Sequence, residues 1–384
     1  MSAIKAFLLR ENVIRATYIL CSIVIGVQHY VGGPAKYNNF VIFRQSFFHL
    51  LAGKNLHLPY PEEYHDIFLY HPTFAVLFAP FSIMPVLPSL TLWLVGCALL
   101  MFYAIRSLPI SFDQKVFFWW FVLVELVTAL HGQQTNPIIA ALGLFTYTFL
   151  EKKNAKWASL FPVLAFCIKG YGLIFAAMFL FYPRRRQYIL YMLLWAAILA
   201  IIPLGVTGFS QFAQVYRDWI ACLIDDHRIN FGFSIMGLIK VWWEPFTEQG
   251  VTYVQLLGVG LFALTWLWNI PGAIRSESRR FLLLGYAFLW VILFNHASES
   301  PTYIIAVQGV TIFYIVNEKM MYPWSTVLIC LVFLFSMLAP TDIYPFSWRN
   351  YFFQPYLIKV IPCLMIWIVL QLQLALPDAK SNKH

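Results

Sequence analysis

Runs of apolar residues separated by short polar stretches recur along nearly the whole chain. A bilayer-crossing α-helix needs about 20 mostly apolar residues, fewer where it is broken or partly buried in protein. The pattern predicts spans near residues 13–31, 84–106, 116–130, 137–150, 157–168, 170–182, 187–207, 252–270, 280–295, 302–317, 323–339 and 356–376. The expectation is therefore an all-α polytopic membrane protein, a bundle of about 12 transmembrane helices (10–13). The runs on either side of Lys169-Gly170 are too short for two ordinary spans, and 72–83 reads as a re-entrant segment. Residues 1–384 are expected to form a single integral membrane domain, with long outer loops at 32–71 and 208–251 and a disordered cytoplasmic tail at 377–384.

Composition agrees with that pattern. Apolar residues make up 61% of the chain and charged residues 11%, against about 25% charged in a soluble domain. The net charge of +9 comes from short basic runs between apolar segments, as in loops retained on the cytoplasmic side, and so does not indicate nucleic-acid binding. With both termini inside, those runs are cytoplasmic, and every histidine except His384 falls outside. The polar junctions His131 to Asn136, Lys169-Gly170 and Asn295 to Ser300 also gather on the outer side. A membrane-embedded site opening outward follows. The six cysteines contain no C-x-x-C and read as small buried hydrophobes. No P-loop, dinucleotide glycine pattern or Gly-x-Ser-x-Gly occurs, which excludes the usual nucleotide-driven chemistry. No cofactor or metal is expected.

The first outer loop has a helical stripe at residues 40, 43, 47, 48, 50 and 51, with Arg44, Gln45 and His49 beside it. An interfacial amphipathic helix is the plain reading of this stripe. The following segment, Tyr60 to Thr73, is dense in acids and histidines and includes Asp66, Tyr70 and His71. Glu125 lies inside an apolar run, where an ionisable group is costly and marks a functional candidate; a protonated Glu bonded to a neighbouring helix is the structural alternative. Lys169 sits between short apolar helices and calls for an anion such as a lipid phosphate, or else snorkels to the interface. Asp226-His227 in the second long loop lacks regular metal-ligand spacing. His296 and Glu299 occupy a short junction near the membrane mouth.

These motifs together resemble glycosyltransferase family 87, of the GT-C class of membrane glycosyltransferases. The resemblance is carried by Asn39-Phe40-Val41-Ile42-Phe43 to Gly53-Lys54-Asn55-Leu56, by Tyr70-His71-Pro72-Thr73, and by Gly132-Gln133-Gln134-Thr135-Asn136. Ile168-Lys169-Gly170-Tyr171, Asn230 to Gly237 and His296 to Tyr303 complete it. It implies transfer of a sugar, usually mannose, from a polyprenyl-phosphate donor to a lipid or glycan acceptor outside the cytoplasm, with inversion. It implies that Lys169 faces the donor phosphate, that Gln134 and Asn136 hydrogen-bond sugar hydroxyls, and that His296 orients either partner. Arg44, Tyr70, His71, Glu125, Asp226 and His227 complete the expected substrate-binding set. The family carries an acid near the start of the first outer loop, where this chain has Asn39 (or Asn38). Asparagine takes up no proton under these conditions. Asp66 or Glu299, then Glu125 or Asp226, stand as replacement bases; alternatively Asn39 only orients the acceptor while the base comes from a neighbouring loop, or transfer is lost and lipid binding kept. A non-enzymatic lipid translocase, or a polymerase of lipid-linked glycans, are the competing functions. The transferase reading expects Asn39, Asp66, Lys169 and Glu299 to line one outward cavity.

Overall fold

The computed structural model describes residues 7–226 and 231–377. Helices form at each expected apolar run, and no strand occurs among the described residues. The chain forms two compact units, one of Met1–Ala176 with Arg186–Arg228, the other of Ala177–Arg185 with Ile229–His384.

The first unit begins with α1 (Glu11–Val31) and a helix in the first loop, α2 (Asn38–Leu51). Two short helices follow, α3 (Pro72–Leu77) and α4 (Ala79–Ile83), broken by Pro80. Then come α5 (Val86–Ser107), α6 (Phe112–His131), α7 (Asn136–Glu151) and α8 (Ala155–Ile168). A 3-10 helix, Gly170–Phe181, starts just past Lys169, its residues from Ala177 onward belonging to the second unit. The unit closes with α9 (Arg185–Ile201) and α10 (Leu204–Asp226), bent 91° from one another. Pro203 lies at the bend, where its missing N–H and its ring interrupt the ladder.

Polar caps start these helices where the sequence offers them. Ser111 and Gln114 make a reciprocal capping box on α6, and Asn154 caps α8, satisfying amides that a helix start leaves without partners. Interhelical hydrogen bonds lock the apolar faces. The Tyr18 hydroxyl of α1 donates to the Trp119 carbonyl of α6 at 2.7 Å, and the Trp119 indole donates to the Phe102 carbonyl of α5 at 3.0 Å while stacking on that ring. Such bonds carry weight in a membrane protein, where burial of apolar surface does not distinguish a neighbouring helix from lipid.

The second unit contains α11 (Ile235–Trp242), α12 (Glu248–Arg275), α13 (Glu277–Leu293) and α14 (Tyr303–Asn317). It ends with α15 (Trp324–Leu331), which continues as a π-helix over Val332–Met337, and α16 (Val360–Ala375). The core is the α13–α14 pair, nearly all of whose residues are buried. Gly285 and Gly309 face each other across it, and a methyl group on Gly309 would meet the Gly285 carbonyl. Small residues thus set the close approach. Arg279 is buried and donates from Nε to Asn269 Oδ1 at 2.5 Å and from Nη2 to the carbonyls of Leu374 and Leu376 at 3.0 and 2.8 Å. It thereby satisfies the carboxyl end of α16, where orphan carbonyls carry negative charge.

Four helices, α1, α5, α6 and α12, are long and apolar enough to cross a membrane, or five if the bent α9–α10 pair is one span. That is fewer than the 12 expected from the sequence. Length accounts for the difference. Helices such as α7 and α16, with 16 residues each, reach only about 24 Å, against a hydrocarbon core of about 30 Å. Most of 208–226 and 235–242, expected within a long loop, is helical.

Candidate functional site

The polar residues of the first unit gather around the break between α6 and α7. His131 ends α6, Gly132 is its C-cap, and Asn136 begins α7. Gln133 takes a left-handed backbone (φ 49°), and its carbonyl accepts the Trp93 indole at 3.1 Å. The turn is therefore held to α5, and Gln133, Thr135 and Asn136 are buried within it.

Asn136 is the hub of the cluster. Its Oδ1 accepts from Lys169 Nζ at 3.1 Å and from the Tyr171 hydroxyl at 3.4 Å, while its Nδ2 donates to Gln134 Oε1. Lys169, the C-cap of α8, has extended backbone (φ −139°, ψ 121°) and leaves the helix there, so its ammonium reaches Asn136 rather than running along α8. The ammonium also lies 6.0 Å from the Tyr70 ring, whose hydroxyl accepts from Thr135 Oγ1 at 3.4 Å. Tyr70 in turn packs edge-on against Phe43 of α2. The structure therefore brings Tyr70, Gln134, Asn136 and Lys169 together and adds Tyr171 and Thr135. Tyr171 stands two residues beyond Lys169, and that adjacency was the signal available for it.

The two asparagines at the start of α2 serve as donors. Asn39 Nδ2 donates to the Gly132 carbonyl at 2.8 Å, tying α2 to the α6–α7 turn. Asn38 makes a two-bond clasp with His65, donating to its carbonyl at 2.6 Å and accepting its N–H at 2.9 Å. Asp66, next in line, is exposed in a left-handed conformation (φ 83°), with its Oδ1 accepting the Ile67 N–H at 2.8 Å. It makes no hydrogen bond or ion pair to Tyr70, Asn136 or Lys169 among the described residues. Arg44 is partly buried on α2, and Glu125 is fully buried in α6.

His71 caps α3, its Nδ1 accepting the Thr73 N–H at 3.1 Å. The ring is enclosed edge-on by Trp219 and Tyr216 of α10. Burial, with a smaller contribution from nearby His57, pushes its pKa down to about 4, so the ring is neutral at pH 7. Trp219 and Tyr216 were not anticipated, because Gln214, Arg217 and Asp218 hide their helical spacing in a polar stretch. Asp226 ends α10, and His227 lies outside the described residues.

In the second unit, His296 Nδ1 accepts from Gln255 Nε2 at 2.9 Å. Glu299 caps the short turn Ser300–Thr302 in a reciprocal box with Thr302. Lys359, unremarked in the sequence, is buried, with its ammonium 3.1 Å from Ser300 Oγ and 5.0 Å from the Tyr303 ring. A strap over Phe231 to Gly237 is fixed to the 295–303 junction: Phe233 N–H donates to the Ser298 carbonyl at 2.6 Å and the Tyr303 hydroxyl to the Phe233 carbonyl at 3.0 Å. Asn39, Asp66 and Lys169 belong to the first unit and Glu299 to the second.

Apolar helices long enough to cross a bilayer, and a lysine held among amides and phenols where two helices break, define a class: helical membrane proteins with a polar site at their helix ends. The particular family is shown by comparison with family models. The glycosyltransferase family 87 model matches residues 68–294, and the chain belongs to that family. The matched region takes in the whole of the Tyr70–Asn136–Lys169 cluster. No curated protein matches the chain.

Proposed function

We propose that the chain transfers a hexose, mannose first among the candidates, from a polyprenyl-phosphate donor to a lipid or glycan acceptor on the outer face of the membrane, with inversion. Family membership supports the transferase class. The observation that carries the finer reading is the placement of the Lys169 ammonium, 3.1 Å from Asn136 and beside Tyr70, at the end of an apolar helix. A lipid-linked phosphate offers an anion at such a depth. In a site of low dielectric, a fixed cation stabilises the negative charge that grows on the leaving phosphate. Asn136 Nδ2 donates to Gln134 Oε1, which fixes the two amides relative to one another; sugar hydroxyls as their partners are part of this proposal. The termini are assigned to the cytoplasm.

The test is transfer in proteoliposomes from a radiolabelled polyprenyl-phosphate mannose, with wild type and Lys169→Ala. Removing one oxyanion-stabilising donor costs about 10²–10³ in kcat in well-studied enzymes, and a loss of that order is expected. Full transfer by Lys169→Ala removes the lysine from the mechanism. Movement of labelled lipid across the bilayer, with no transfer from any donor, replaces the transferase reading with a translocase.

A further inference from the structure

Transfer with inversion needs a base for the acceptor hydroxyl, and Asn39 cannot be that base. A pair of histidines at the ends of α1 and α6 offers one. His29 Nδ1 lies 2.6 Å from the Lys36 carbonyl, and His29 Nε2 lies 3.0 Å from His131 Nδ1. The rings meet edge-on, with centroids 5.2 Å apart.

The protons on these rings follow from what each neighbour can do. A carbonyl only accepts, so His29 Nδ1 carries a hydrogen. In a neutral ring, His29 Nε2 is then a lone pair, and the 3.0 Å contact requires His131 Nδ1 to donate to it. That leaves the lone pair of His131 on Nε2. His131 is exposed, and among the described residues no hydrogen-bond partner occupies Nε2. The imidazole is thus fixed in one tautomer by a second group, as a general base must be. His29 is the titratable group that faces it, and the charge of Lys36 lies behind His29.

Location supports the same assignment. Gly132, the residue after His131, accepts the Asn39 amide, at the position where the family acid is expected. Asn136, at the other end of the same turn, holds Lys169. We propose that His131 is the catalytic base of this chain and His29 its positioning residue, a reading that rests on the transferase function above. In the step, the acceptor O–H gives its proton to His131 Nε2. The acceptor oxygen bonds to the sugar anomeric carbon as the bond from that carbon to the phosphate oxygen breaks. The electron pair stays on the phosphate near Lys169, and the imidazolium later loses its proton to water. Throughout, His131 Nδ1–H keeps its bond to His29.

The experiment compares wild type, His131→Ala and His29→Phe in the same transfer assay, with kcat and KM determined across pH and with added free imidazole. A positioned base contributes about 10²–10⁴-fold. His131→Ala is expected to lose kcat on that scale at unchanged donor KM and to regain rate in proportion to the neutral imidazole added. His29→Phe is expected to lose less, and in kcat. A His131→Ala protein within about threefold of wild type overturns the assignment and leaves the transferase reading standing. So does a loss that imidazole does not reverse, since a folding or binding role behaves that way. A wild type inactive with every donor, with Lys169→Ala indistinguishable from it, overturns the transferase reading and this one with it.

Discussion

Replacing Asn39 with aspartate supplies the acid that the family resemblance leads one to expect near the start of the first loop, and should make the chain less stable. Asn39 Nδ2 donates to the Gly132 carbonyl at 2.8 Å. In Asn39→Asp, an ionised carboxylate has no hydrogen to give and sets negative charge against the oxygen of the same carbonyl. Leaving a buried acceptor without its donor costs about 1–3 kcal/mol. This contact is only partly buried, and water can reach it, so the lower part of that range applies, about 1–2 kcal/mol. For a unit of this size, each kcal/mol moves the unfolding midpoint by about 2–4 °C. The sign with pH is fixed. Only the protonated carboxyl can donate to Gly132, so its folded pKa lies above the unfolded value of about 3.9. The penalty is absent below the unfolded pKa and grows as pH rises through the folded one. Thermal unfolding in detergent at pH 4 and pH 7.5, with Asn39→Ala as the hydrogen-bond-deletion control, measures this. Equal midpoints for Asn39→Asp and wild type at pH 7.5 would refute the reasoning, as would a penalty that grows on acidification.

His71, whose burial pushes its pKa down to about 4, should make stability fall on acidification. The unfolded chain takes up its proton near pH 6.5 and the folded ring does not, so stability is lost from about pH 6.5 down to the folded pKa. The loss totals about 3 kcal/mol at about 1.4 kcal/mol per pH unit, and His71→Asn, which retains a cap, should flatten that part of the stability–pH curve. Gly232→Ala should loosen the strap that holds Phe233 to Ser298. Gly232 has φ 52°, and a Cβ there would lie 2.6 Å from the Ser298 carbonyl oxygen. A cost of about 1–2 kcal/mol for the left-handed backbone alone should appear as faster amide exchange over residues 231–237.

The helices were legible in the sequence because each apolar run had to find a nonaqueous partner. The expected 13–31 and 84–106 correspond to Glu11–Val31 and Val86–Ser107. The extension of α10 to Asp226 was not legible. Its buried-side residues, Tyr216 and Trp219, are spaced for a helix, but Gln211, Gln214, Arg217 and Asp218 between them lower the mean hydropathy below that of a span. Asn136 and Tyr70 were marked by the segments that carry the family resemblance, whereas Lys169 could be singled out because a cation beside apolar runs is costly without a purpose. Their joint geometry could not, since it depends on the left-handed Gln133 and the extended Lys169 backbone. His29 carries no motif at all. It lies near the end of an ordinary apolar helix, and only the packing of α1 on α6 places it against His131.

The Asn39–Gly132 bond also bears on how this chain can change. A single nucleotide substitution turns an asparagine codon into an aspartate codon, so an acid at position 39 is one mutational step away. That step breaks a bond joining α2 to the α6–α7 turn, and the new carboxylate faces a carbonyl until a second substitution moves the turn. The route to aspartate is short in the gene and uphill in the protein. One amide hydrogen holds the position against that change.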